Sequence, residues 1–250
     1  MALLRAEKLT KAFGALLAVN GATLDVEAGT LHSIIGPNGA GKTTLFNLLT
    51  GQMEPTSGRI LLEDRDITGT PANRIAHLGI ARSFQRTNVF PALTLLDNVW
   101  TAAFARRDSW RGFCWRRTDR FADVRERALQ ALADVGLRDR ARQVAREISH
   151  GEQRQLDLAI ALAAHPRLLL LDEPAAGLSA EESRKMVALV KGLKGRYTIV
   201  LIEHKMDIIM GVSDRITVMH FGSVIAEGTP AEIQRNEEVR RAYLGGMAAG

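Results

Sequence analysis

LHSIIGPNGAGKTTLFNLLTG, residues 31–51, carries three kinds of structure in one short run. Leu31 to Ile35 has three aliphatic residues in five and reads as an apolar strand. GPNGAGKT, residues 36–43, is a glycine-rich loop, and TTLFNLLTG, residues 43–51, reads as a helix with Gly51 at its C′ position. The loop fits G-x-x-x-x-G-K-[ST] in the context that gives this pattern its meaning, between a strand and a helix. Glycines let the main chain wrap closely around phosphate oxygens, and the helix that follows adds its positive N-terminal dipole. Asn38, Gly39, Ala40, Gly41, Lys42, Thr43 and Thr44 are therefore the expected cradle of a nucleotide's phosphates. Lys42 would serve the β- and γ-phosphates, and the Thr43 hydroxyl would ligand Mg²⁺. A glycine turn that merely resembles such a cradle is the alternative, and the flanking elements argue against it.

Working outward, the first part of the chain reads as strands. Residues 3–9 and 19–26 are short, partly alternating segments, 58–64 is another strand, and Pro71 opens a short helix. From residue 94 to 162 glycine is sparse and helical periodicity dominates. Val124, Ala128, Leu129, Leu132 and Val135 share one helical face. The last third returns to strands at 168–172 and 198–204, followed by a hairpin over 215–228 and a polar helix beginning at Pro230. The pattern predicts one α/β domain over 1–250 with a mostly parallel sheet. Its core comprises 1–85 and 163–228, including an N-terminal antiparallel β-subdomain. A helical insertion spans 86–162 and a C-terminal helix 229–250.

Composition sets outer bounds. The chain has 250 residues, 46% hydrophobic and 24% charged, which suits a globular protein with a substantial core. No apolar run approaches the roughly 20 residues that span a bilayer, and charges interrupt the N-terminus where a signal peptide needs its apolar stretch. The chain is expected to stay in the compartment that holds its ribosomes. Cys114 is the one cysteine, which excludes an internal disulfide framework and a cysteine zinc cluster. Lys plus Arg is 33 against 28 Asp plus Glu, a modest excess of +5. Such a bias fits a nucleic acid, an anionic membrane surface or an exposed helical face.

Two further stretches carry chemistry. LLLLDEP, residues 168–174, ends an apolar strand in two adjacent carboxylates. Asp172 can hold Mg²⁺ through water opposite Thr43, while Glu173 faces the attacking water as general base. His204 closes the neighbouring strand, where α/β proteins bind ligands, and would hydrogen-bond the γ-phosphate and the water. Glu203 beside it reads as structural. Upstream, ISHGEQ, residues 148–153, places Ser149 three residues before Glu152, the spacing of a capping box. A helix starting there exposes a hydroxyl and free N–H groups, which suit an anion.

GPNGAGKT, LLLLDEP, His204 and ISHGEQ, in this order and spacing, resemble the ATP-binding subunit of ABC transporters over nearly the whole chain. The resemblance implies a P-loop ATPase core and makes ISHGEQ the signature motif, usually L-S-G-G-Q. Ser149, Gly151 and Glu152 would then meet the γ-phosphate held by another subunit's P-loop, so two subunits would close head to tail around two ATP. His150 stands where glycine is commonest. Glu152 replaces the usual glutamine, and its carboxylate is expected to cap the helix and point away from phosphate. Ser179 stands where many members have Asp. By match, Phe13 would stack on adenine, with core packing as the alternative, and Val19 would line the same pocket. Gln85 would join Mg²⁺ and the attacking water to the helical insertion. The implied catalytic set is Glu173, His204 and Gln85, with Thr43, Gln85 and Asp172 at the metal.

Longer stretches, including GIARSFQRTNVFPALTLLDNV, DEPAAGLS, IEHKMDIIMGVSDRITVM and VRRAYLG, resemble the ATP-binding subunits of the branched-chain (hydrophobic) amino-acid uptake family. This implies transmembrane permease partners docking on residues 86–98, a second ATP-binding subunit in a homodimer or, as is usual in the family, a heterodimer, and indirectly an external solute-binding protein. The chain would lie peripherally on the cytoplasmic face of the membrane, without nucleic acid. Related amides and acids remain open as solutes. An exporter or lipid-extraction ATPase shares the chemistry. A DNA-acting ATPase of this type would carry long coiled coils that are missing here. The aromatic and arginine-rich segment 104–121 is open to three readings: a packed surface helix pair, a membrane-proximal element or a nucleic-acid surface.

Overall fold

The computed structural model describes residues 2–83, 89–105 and 121–245. The chain opens on two long antiparallel strands, β1 (Ala2–Phe13) and β2 (Leu16–Glu27), each longer than the sequence segments suggested. Their inward residues Leu4, Ala6, Leu9, Leu24 and Val26 are almost wholly buried, and register shifts along β1 bend the ribbon. With β4 (Ser57–Leu62) and β5 (Arg65–Asp66) they form a four-stranded antiparallel sheet, order β2-β1-β4-β5.

The second sheet contains β3 (Leu31–Ile35), β6 (Ile80–Ser83), β7 (Leu168–Asp172), β8 (Thr198–Ile202), β9 (Arg215–His220) and β10 (Ser223–Gly228), in the order β10-β9-β3-β8-β7-β6. Every pairing is parallel except the β9–β10 hairpin. All residues of β3, β7 and β8 are buried, which explains the apolar runs LLLL of β7 and IVLI of β8; β3 also buries His32 and Ser33, each with a hydrogen-bonding partner. The strand β6 was not foreseen: its four residues, IARS, carry little pattern, and pairing with β7 defines it.

Helix α1 (Lys42–Leu49) follows the glycine loop and buries Leu45, Phe46 and Leu49 between the sheets. A short α2 (Ala72–His77) leads to β6. Helices α3 (Leu95–Ala105), α4 (Ala122–Asp134) and α5 (His150–Ala163) pack on one another around Val99, Ala103, Val124, Leu132 and Leu156. Trp100 stacks on Phe104 at 5.0 Å, and Phe121 meets both rings edge-on. These aromatics therefore pack inward; the remainder of the 104–121 segment, residues 106–120, lies outside the described residues. Helices α6 (Ala180–Leu193) and α7 (Met206–Val212) follow β7 and β8. The C-terminal segment is two helices, α8 (Pro230–Arg235) and α9 (Glu237–Gly245), broken at the extended Asn236. Tyr243 on α9 packs on the cluster that contains Ile35, the residue before the glycine loop.

Among the described residues no helix is long and apolar enough to cross a membrane.

Candidate nucleotide site

The parallel strands β3, β7 and β8 end together, and their C-terminal edge builds the site. Asp172 pairs in register with Ile202, so the loops carrying Glu173 and His204 leave the sheet side by side. A cavity of about 470 Å³ opens there, lined by Asn38, Gly39, Ala40, Gly41, Lys42, Thr43, Thr44, Glu173 and His204. Thus seven loop residues singled out from sequence line one cavity with the expected base and its histidine.

The glycine loop is held from both sides. The Gly222 N–H donates to the Ala40 carbonyl, and a Cβ on Gly41 would lie 2.2 Å from the Ala18 carbonyl oxygen, so only glycine fits. Gly41 precedes α1 without a side-chain cap, and the helix has no acidic residue in its first turn. An uncapped N-terminus of this kind suits phosphate. Lys42 is largely buried and donates from Nζ to the carbonyls of Gly36 (2.7 Å) and Pro37 (3.0 Å). Burial lowers its pKa, and the carboxylates of Glu173 and Asp172 oppose that shift.

Glu173 has a left-handed backbone, φ 49°, and its N–H donates to the Ile202 carbonyl. That turn puts the Glu173 side chain on the cavity, where Oε1 pairs with Nε2 of His204. Asp172 is buried at the strand end, and its Oδ2 accepts from Arg82 at 2.6 Å. Glu203 is also buried: Oε1 accepts from the Ala175 N–H and Oε2 from the His204 N–H, each at 3.1 Å. Its structural reading thus acquires a definite content, since one carboxylate ties the loop after Glu173 to the loop of His204.

Other expected residues fall differently. Phe13 is 47% exposed at the β1–β2 turn, paired with Leu16, with the Lys11 ammonium 5.4 Å from its ring. Val19 is fully buried in the β-subdomain core; Leu16, Leu17 and Ala18 form the cavity wall beside it. Phe221, in the β9–β10 turn, also lines the cavity and was missed from sequence, because hairpin geometry alone brings it there. Gln85 lies outside the described residues.

The signature residues occupy another place. Ser149, Gly151 and Glu152 line a second cavity of about 300 Å³ with Gln155, Glu182, Lys185 and Met186. Ser149 Oγ accepts from the Glu152 N–H, and Glu152 Oε2 accepts from the Ser149 N–H, completing the capping box. The other Glu152 oxygen is paired with Arg140, so the carboxylate is fully engaged as a cap. Gly151 leaves room for the Glu182 carboxylate of α6: a Cβ there would lie 2.6 Å from Glu182 Oε1, so that side chain would have to shift. Glu182 in turn caps α6 through Ser179, and those hydrogen bonds lower its pKa.

The comparisons agree with this geometry. Residues 19–176 match the family described as ABC transporter, and residues 223–249 match the branched-chain amino acid ATP-binding cassette transporter family. The chain is 40% identical over 249 residues to the high-affinity branched-chain amino acid transport ATP-binding protein LivG of Salmonella typhimurium, covering 97% of this chain and 98% of that one. The crystal structure of the ADP conformation of an ATP-binding cassette superposes with a TM-score of 0.87 at 30% identity, covering 98% of this chain and 99% of the other. A dimeric bacterial ABC transporter cassette superposes at 0.77 with 25% identity, covering 91% and 98%. By the family match over residues 19–176 and the near full-length relatives, the chain belongs to the ABC transporter family, whose ATP-binding subunits couple ATP hydrolysis to transport.

Proposed function

We propose that the chain is the ATP-hydrolysing subunit of an importer for branched-chain or other small hydrophobic amino acids, acting peripherally on the cytoplasmic face through permease subunits. The observation that carries the shared-site reading is the separation of the two cavities. One holds the glycine loop, Glu173 and His204; the other holds Ser149 and Gly151; no lining residue is common to both. Each cavity is half of a composite site, completed by a second ATP-binding subunit, either another copy of this chain or a different one.

The residues fit a magnesium nucleotide. Thr43 and Asp172 supply hard oxygen donors at the start of α1 and the end of β7, and no cluster of three or more His, Cys, Asp and Glu exists among the described residues. That sparse set suits Mg²⁺, which keeps waters and substrate phosphates as its other ligands. When bound, the cation offsets phosphate charge and orients the γ-phosphate. Glu173 accepts the proton of the attacking water, and His204 orients both Glu173 and the phosphate. Lys42 exchanges loop carbonyls for phosphate oxygens. Ser149 and the start of α5 reach the γ-phosphate from the partner.

Permease docking is served by residues 89–98. Asn98 is buried and holds the turn, accepting from the Phe90 N–H (2.7 Å) and donating to the carbonyls of Phe90 and Thr94. Leu95 is buried and Val89 packs on the core, while Phe90 and Leu93 are exposed on a braced surface.

Reconstitution of the chain with its permeases and solute-binding protein in vesicles tests this reading. Leucine, urea and a small amide are compared as solutes. ATP-dependent leucine accumulation is expected; hydrolysis unaffected by any loaded binding protein would overturn the importer assignment.

A further inference from the structure

Arg82 is the side chain that joins the two halves of the metal-bearing region. It projects from the last turn of chain before the Gln85 segment, on β6, next to β7. Its Nη2 donates to Asp172 Oδ2 at 2.6 Å, with the side chains only 8% and 4% exposed. Its Nη1 donates to Asn47 Oδ1, also at 2.6 Å, and its guanidinium lies 5.6 Å from the Phe46 ring centroid. Asn47 is on α1, four residues after Thr43, so the two share a helix face. One planar guanidinium thus links the helix that carries Thr43 to the strand that carries Asp172. Lysine, a point charge, cannot reproduce that fork.

We propose that Arg82 is a positioning residue for magnesium: it fixes the Asp172 carboxylate by Oδ2 and holds α1 against β7, so that Thr43 and Asp172 are preset for one cation. The proposal rests on the nucleotide reading above and assigns Arg82 no contact with substrate. Partners behind a metal ligand of this kind typically change metal affinity by about 10–100-fold when removed.

The test uses the full chain and the β,γ-imido analogue of ATP, which is not hydrolysed. Calorimetry measures analogue binding in EDTA and at rising Mg²⁺, Mn²⁺ binding is followed by electron paramagnetic resonance, and melting is recorded for each variant. For Arg82→Lys and Asn47→Ala, analogue affinity in EDTA is expected within about twofold of wild type, while the Mg²⁺ and Mn²⁺ half-points rise about tenfold. Unchanged half-points in both variants, with lowered melting temperatures, would reduce Arg82 to a structural cross-link and overturn the proposal. A tighter cation half-point in Arg82→Met would also overturn it, by making Arg82 a competing charge. If Arg82→Met fails to fold, the other two variants decide. A wild-type chain that binds no nucleotide would sink the ATP reading itself, whereas wild-type binding with unmoved variant half-points sinks only the role of Arg82.

Discussion

Glu173 holds its post through the main chain. The strand β7 ends at Asp172, and a left-handed step of φ 49° turns the next side chain toward the cavity. A non-glycine residue in that region costs on the order of 1–2 kcal/mol, which the buried strand and the Ile202 hydrogen bond offset. Two adjacent carboxylates thereby take different tasks, one on Arg82 and one on His204. Replacing Glu173 by Gln keeps the shape and removes the base. ATP affinity by calorimetry should stay near wild type, phosphate release should fall by about 10²–10⁴-fold, and a closed dimer should accumulate on gel filtration with ATP and Mg²⁺. Full-rate release would count against the base assignment. Lys42→Ala addresses the other wall: nucleotide binding should be lost, and wild-type titration would refute the phosphate role. Far from the chemistry, His32 is fully buried with Nε2 2.7 Å from the Thr217 hydroxyl. Burial, reinforced by Arg215, lowers its pKa from 6.5 to about 4. Between those values the unfolded chain binds the proton and the folded chain does not, so stability falls as pH drops through that window. The total is about 3 kcal/mol. Urea melts of wild type and His32→Gln at pH 7 and pH 4 should differ by that pH-dependent term; parallel curves would show that His32 does not titrate this way.

Helix α5 illustrates how one element serves packing and recognition together. Its capping box fixes where the helix begins, Gly151 leaves room for the Glu182 side chain of α6, and its far end delivers the chain to β7 and the carboxylates of Asp172 and Glu173. Ser149→Ala removes the capping hydroxyl and should cost about 1 kcal/mol of stability. Ser149→Arg also fills the exposed face: it should leave ATP binding to the glycine loop intact and abolish hydrolysis. Normal turnover in stable Ser149→Arg protein would end the shared-site reading. Sequence made these parts legible because each is local. A strand, a glycine loop and a helix adjoin in 31–51, and the Ser149–Glu152 spacing is itself the cap. What sequence hid depends on neighbours distant along the chain. The strand β6 exists by pairing with β7, 88 residues on at Ile80↔Leu168, and Arg82 matters because that pairing sets it beside Asp172. Phe221 reaches the nucleotide cavity through a hairpin whose Gly222 hydrogen-bonds Ala40. The break at Asn236 between α8 and α9 also escaped the sequence, since Pro230 announces a helix start but nothing local announced the stop.

At the scale of the whole molecule, the two cavities share no lining residue, and on the proposed shared-site reading a second chain supplies the face that each cavity lacks. This makes a mixing experiment decisive. A Lys42→Ala chain has a defective glycine loop and an intact Ser149; a Ser149→Arg chain has the reverse. Each alone should form only dead sites. In a mixed dimer, one composite site joins both defects, while the other joins the intact loop of one chain to the intact signature of its partner. With random pairing at equal amounts, half the dimers are mixed and half of their sites are whole, so activity should recover to about a quarter of the wild-type sites. Phosphate release measured across mixing ratios should peak near equal amounts and fall toward either pure variant. If each chain instead contained a complete site, no mixture could exceed its two dead components, and a flat line across all ratios would refute the head-to-tail arrangement.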